Sequence, residues 1–123
     1  MIKWFDVKEK NGTASLYSNN ITLNTVAMYP LDYAFRILVG IQDDANIIIK
    51  PVSKNEVENG ELDESRLLKL ERRKSFARIS SSLLMRQISD ELKLTLSKVP
   101  VRFETYWDNS ENVLVINVKG GQK

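Results

Sequence analysis

The sequence predicts a mainly β protein of the α+β class, with two diverged strand-helix-strand-hairpin units packed as one pseudo-symmetric domain over residues 1–123. Three observations predict it. Phe35, Ile37, Val39 and Ile41 recur at period two, followed by an Asx-rich turn and the apolar run Ile47-Ile48-Ile49, the pattern of a half-buried β-hairpin. Leu84, Met85, Ile88 and Leu92 form one apolar stripe at helical spacing, opposite Arg86, Gln87, Asp90 and Glu91. A second hairpin, Val101 to Val118, follows that helix much as the first follows a shorter helical segment.

In chain order, Ile2 to Val7 alternates and Ala14 to Tyr17 resumes after Asn11-Gly12, a pair suited to a type I′ turn, so an N-terminal hairpin is expected. Ile21 to Leu23 reads as a short strand. Asn24 or Thr25 caps a brief helical segment through Leu31, which Pro30 keeps short. The first unit, with its N-terminal hairpin, occupies residues 1–52.

Residues 53–75 read as a charged linker, with a surface stretch over 53–65, a helix start at Asp63 and helical turns at Leu67, Leu68 and Leu70. The second unit spans 76–119: Phe76 to Ile79 extended, a helix opening in Ser80-Ser81-Ser82, a strand through Val101, Phe103 and Trp107, a turn at Asp108 to Asn112 and a return strand to Val118. Gly120-Gly121 reads as a frayed end.

The two hairpins align without a gap at a shift of 66 residues, Phe35 on Val101, with Arg36 meeting Arg102, Asn46 meeting Asn112 and Val52 meeting Val118. Upstream, Ile21-Thr22-Leu23-Asn24 matches Ala77-Arg78-Ile79-Ser80 at a shift of 56. Unrelated hairpins share such patterns, so duplication rests on the matched order of elements. Its physical appeal is that one unit leaves an apolar sheet face that a second can cover.

Composition excludes more than it assigns. With neither cysteine nor histidine, the chain has no thiolate nucleophile, imidazole base, Cys/His zinc site or disulfide. No Gly-rich phosphate loop or nucleophile elbow occurs, so an enzyme is the least favoured class and no cofactor or small-molecule substrate is expected. The opening residues lack the apolar core of a signal peptide and no window matches a membrane span, which points to a soluble, cytoplasmic protein without a membrane partner. A net charge of +2 implies no polyanion by itself. Asp43-Asp44, and Asp108 with Glu111, read as turn residues, and Trp4, Phe5, Tyr17, Tyr106 and Trp107 as core or cross-strand packing.

Charge is nonetheless segregated. Glu56, Glu58, Glu61, Asp63 and Glu64 precede Arg66, Lys69, Arg72, Arg73, Lys74 and Arg78, with Glu71 interrupting the basic block. Such a strip neutralises phosphates and releases counterions; equally, it forms a solvated surface with local ion pairs.

The segment from Ile21-Thr22-Leu23 through Asp43-Asp44 to Ile47-Ile48-Ile49-Lys50 resembles the SpoVT/AbrB swapped-hairpin family, and residues 77–94 with 106–119 repeat the likeness faintly. Two copies in one chain resemble the MraZ arrangement. The resemblance implies a homo-oligomeric transcriptional regulator that binds double-stranded DNA through arginines. In the first copy those positions differ: Asn24 replaces the usual proline, Val26 to Tyr29 are uncharged, and Asn19-Asn20 stand in place of Gly-Arg. The second copy and the basic linker then carry the expected DNA contacts, Arg72, Arg73, Lys74, Arg78 and Arg86. The alternative is a protein-interaction or assembly module of the same fold that does not bind DNA.

Overall fold

A computed structural model describes residues 1–7, 10–43 and 45–119. Its strands are β1 (Thr13–Leu16), β2 (Asn20–Asn24), β3 (Arg36–Gln42), β4 (Asn46–Val52), β5 (Glu71–Arg72), β6 (Phe76–Ser80), β7 (Val101–Asp108) and β8 (Val113–Ile116). The helices are α1 (Thr25–Met28), α2 (Lys54–Glu58) and α3 (Ser82–Leu92). The eight strands form one sheet in the order β3-β4-β8-β7-β1-β2-β6-β5, antiparallel at every junction. Just before β5, Leu68 exchanges two backbone hydrogen bonds of 2.9 Å with Ile37 of β3. That bridge joins the two ends of the sheet and curls it into a half-barrel.

Period-two alternation sets the inner wall. Ala14, Leu16, Ile21, Leu23, Ala77 and Ile79 point inward from β1, β2 and β6; Ile37, Ile47, Ile49, Phe103, Leu114 and Ile116 do so from the other strands. Met85 and Ile88 of α3 and Ala27 of α1 complete the core. No polar or charged side chain is buried among the described residues. The fold therefore rests on apolar burial, about 1.5–3 kcal/mol for each fully buried large aliphatic chain before entropy is charged against it.

Local chemistry ends the elements where the sequence predicts. The Asn24 side chain accepts from Ala27 N at 2.9 Å to cap α1, and a 3-10 turn over Tyr29–Leu31 accommodates Pro30. The Ser81 hydroxyl caps α3 through Leu84 N at 3.0 Å, and Lys93 closes it in the left-handed conformation. Asp63 caps a 3-10 turn over Glu64–Arg66, so the expected helix start is present but short.

The expected N-terminal hairpin does not form among the described residues. Residues 1–7 form no strand, and Ile2, Trp4, Phe5 and Val7 lie exposed. Alternation alone cannot hold a strand without a partner edge, and β1 is already flanked by β2 and β7. Gly12 serves not as a turn residue of positive φ but as a point of close approach: a Cβ there would lie 2.4 Å from Thr105 Oγ1.

The linker differs too. Residues 53–58 carry a full capping box, the Ser53 hydroxyl accepting from Glu56 N while Glu56 accepts from Ser53 N, so α2 forms inside the expected surface stretch. Leu67, Leu68 and Leu70 are not helical; Leu68 is taken by the bridge to Ile37, and backbone pairing overrides leucine's helix preference.

The gapless hairpin match shifts by one residue. Gln42 pairs with Asn46 across three intervening residues, whereas Asp108 pairs with Val113 across four. Hence Ile47 and Ile49 share the inner face with Leu114 and Ile116, not with Val113 and Val115. The return strand also stops at Ile116, short of Val118. Asp44 and the Gly120-Gly121 end lie outside the described residues.

Candidate nucleic-acid interface

With Ala14, Ile21, Ala77, Ile79 and Phe103 turned inward, alternation turns Ser15, Thr22, Arg78 and Arg102 to the outer face. Register then lines them up. Arg102 of β7 stands opposite Ser15 of β1, Ser15 opposite Thr22 of β2, Thr22 opposite Arg78 of β6, and Arg78 opposite Glu71 of β5. The result is a polar row across five strands with an arginine on either side of two hydroxyls. At about 4.8 Å per strand, the Cα atoms of the two arginines lie roughly 14 Å apart.

Each arginine is held. Arg102 Nε donates to Ser15 Oγ at 3.3 Å. The Arg78 guanidinium stacks over the Phe76 ring, 4.9 Å from its centroid, and lies 3.8 Å from Glu71 Oε1. Arg78 Nε is buried and meets no acceptor, alone in this among the described side chains. On the same face a shallow groove of about 270 Å³ is lined by Thr13, Ser15, Thr22, Phe76 and Arg102 among others, and Arg78 is not part of its lining. The face is mixed in charge: Glu71 pairs with Arg73 at 3.5 Å as well as with Arg78, and Glu104 stands opposite Thr13.

The five residues expected from sequence fall into three places. Arg73 and Lys74 occupy the turn between β5 and β6, at the Phe76 end of the outer face, and Arg78 lies on that face itself. Arg72 is a clamp instead: its guanidinium donates to the carbonyls of Ala34 and Leu31, the latter at 3.3 Å, and fastens β5 to the segment before β3. Arg86 is exposed on α3, beyond the Ser80 end of β6, so about 13 Å of strand separates it from the Arg73–Lys74 turn. Sequence reasoning missed Arg102, Ser15 and Thr22. Alternation could have turned them outward, but nothing local places β7 beside β1.

Of the aromatics, Tyr17 and Trp107 are half-buried as expected, while Trp4, Phe5 and Tyr106 are exposed and do not join the core. The two acidic turns are self-contained. The Ser65 hydroxyl and Ser65 N donate to Asp63, and the Ser110 hydroxyl with the amides of Glu111 and Ser110 donates to Asp108; these bonds hold both carboxyls below the usual range. No group of three or more His, Cys, Asp or Glu among the described residues is placed to hold a metal ion. No helix among them is long and apolar enough to cross a membrane.

No family model, curated protein or solved structure matches the chain.

Proposed function

We propose that this chain is a DNA-binding protein that grips the phosphate backbone through the outer face of β7-β1-β2-β6 and the turn leading into β6. The observation that carries the reading is the row Arg102, Ser15, Thr22 and Arg78, in register across the outer face, the first three of which line a groove there. Hydroxyls and the solvent-facing parts of the guanidinium groups are the donors that position a sugar-phosphate backbone. Arg73 and Lys74 extend the cationic surface from the adjoining turn.

We also read the strand order as a doubled unit. With the Ile37–Leu68 bridge closing the order into a ring, exchanging β1–β4 with β5–β8 returns the same ring read backwards. On this reading the pseudo-two-fold passes through the Thr22–Arg78 pair, where the shift of 56 seen in the sequence equals the pairing register. At Ile48–Val115 it needs the one-residue gap of the longer second turn. We read this order as the tandem arrangement that the AbrB/MraZ resemblance implies, and on that reading the second unit supplies most of the proposed DNA contacts.

Gel retardation of a duplex across a salt series tests the reading. Sequence-independent binding has dissociation constants of roughly 10⁻⁴ to 10⁻⁶ M at physiological salt and tightens steeply at about 50 mM. Arg78→Ala and Arg102→Ala are each expected to weaken binding and lower the salt slope by about one, and Arg86→Ala to leave it unchanged. Absence of any retardation at about 50 mM salt and tens of micromolar protein refutes the proposal. The exposed apolar segment at residues 1–7 favours a second reading, an assembly module without DNA affinity, which that result would leave standing.

A further inference from the structure

Glu71 stands where the outer row reaches the last strand of the sheet order. β5 is two residues long; its Glu71 pairs directly with Arg78 of β6, and its Arg72 with Ala77. Alternation therefore puts Glu71 on the outer face beside Arg78 and Arg72 on the opposite face. There Arg72 is held by the carbonyls of Leu31 and Ala34, which fixes the strand that carries Glu71.

One carboxylate oxygen serves two cations. Glu71 Oε1 lies 3.5 Å from Arg73 Nε and 3.8 Å from Arg78 Nη1. Both distances exceed the roughly 2.7–2.9 Å of a charge-assisted hydrogen bond, so the carboxylate sits between the two guanidinium groups and bonds closely to neither. All three side chains are open to solvent, 45% exposed for Glu71, 61% for Arg73 and 40% for Arg78, and exposed pairs of this kind hold weakly. An anion that makes shorter bonds can take the same place.

The other cations of this face have no such occupant. Lys74 and Arg102 join no ion pair among the described residues, and Arg102 donates to the neutral Ser15 hydroxyl. Tethering decides which anions prevail at the Arg73–Arg78 end. Because Glu71 belongs to the neighbouring strand, it competes as an intramolecular ligand, at an effective concentration of millimolar or more. A free phosphate must beat that concentration with two arginines alone. A phosphodiester chain engages Lys74, Arg102 and the row hydroxyls in the same association, and those contacts offset the loss of the carboxylate.

We propose that Glu71 sets the ligand specificity of the outer face: its carboxylate holds the place of a phosphate between Arg73 and Arg78, excluding isolated phosphate groups and yielding to a phosphodiester polymer. This rests on the phosphate-binding reading of that face. It adds a residue that opposes binding and a class of ligand that the face rejects.

The test uses the full chain as wild type, Glu71→Gln and Glu91→Gln. Both substitutions replace an exposed side chain and remove one negative charge, but Glu91 lies on α3. The Nε–H resonances of Arg73 and Arg78 are followed by NMR while inorganic phosphate is raised through the millimolar range at constant ionic strength. They are expected to shift in E71Q and to stay in place in wild type and E91Q. In parallel, E71Q should bind a short duplex about fourfold more tightly than wild type at low salt, the factor that one unit charge about 5 Å from a phosphate contributes in water. E91Q should match wild type. Wild-type arginines that respond to phosphate as E71Q does, E71Q arginines that do not respond, an E71Q duplex affinity no higher than wild type where the duplex binds, or an E91Q protein that behaves like E71Q overturns the proposal. The phosphate titration uses no DNA. A phosphate response confined to E71Q, with no duplex bound by any of the three proteins, therefore upholds Glu71 as the occupant and refutes the duplex reading alone.

Discussion

Gly12→Ala probes the junction between β1 and β7, on which both the half-barrel and its outer polar row depend. The added Cβ would lie 2.4 Å from Thr105 Oγ1, 3.2 Å from Ala27 Cα and 3.3 Å from Ala27 Cβ. The first distance is far inside contact, so something must move. Thr105 is β-branched, and only the rotamer that turns its hydrogen toward residue 12 clears the space. The backbone has little room to yield, because Gly12 O accepts from Thr105 N at 2.9 Å. Overpacking of this kind costs about 1–3 kcal/mol, and at roughly 4 °C per kcal/mol for a domain of this size the midpoint falls by about 4–12 °C. Thermal melts followed by circular dichroism read it directly. Adding Thr105→Ala removes the hydroxyl and leaves only the milder Ala27 contacts, so the double variant should recover more than half of the loss. A G12A protein melting within about 1 °C of wild type, or a loss that T105A does not relieve, refutes the close-approach account.

Ser81→Ala removes the cap of α3 and should cost about 1 kcal/mol in chemical denaturation, with the urea slope unchanged. Arg72→Met leaves the Leu31 and Ala34 carbonyls without their charged donor and should cost about 1.5–3 kcal/mol, while the salt slope of the proposed DNA binding is expected to stay as in the wild type; a changed slope would return Arg72 to the candidate interface. The folded pKa of Asp108 is lowered, chiefly by the Ser110 hydroxyl, so its contribution to stability is present above the ordinary value of 3.8 and is lost as pH falls through the lower folded value. Carboxyl NMR titration should place the Asp108 midpoint below 3.8, and Ser110→Ala should move it upward.

Those elements were legible whose cause is local. The β3–β4 hairpin, the Asn24 and Ser81 caps and the buried stripe of α3 each follow from residues a few positions apart, and each formed as the sequence implies. Failures came where a distant partner decides. Ile2–Val7 alternates well enough for a strand, yet both edges of β1 are already taken. Leu67 to Leu70 looks helical until Ile37, some thirty positions earlier, claims the backbone of Leu68. The candidate site divides the same way. Arg78 could be placed on a strand from its neighbours, but Arg102 joins it only through Ser15, 87 residues away in the chain. Arg72 was read by charge alone, and its role as a carbonyl clamp depends on where β5 docks.

The central claim is that phosphate is met on the outer face of β7-β1-β2-β6, and amide chemical-shift mapping during titration with a short duplex tests it most directly. The account predicts that the largest shifts fall on Ser15, Thr22, Lys74, Arg78 and Arg102 and disappear as salt is raised. Shifts confined to α3 and β3, or none at low salt, would contradict it.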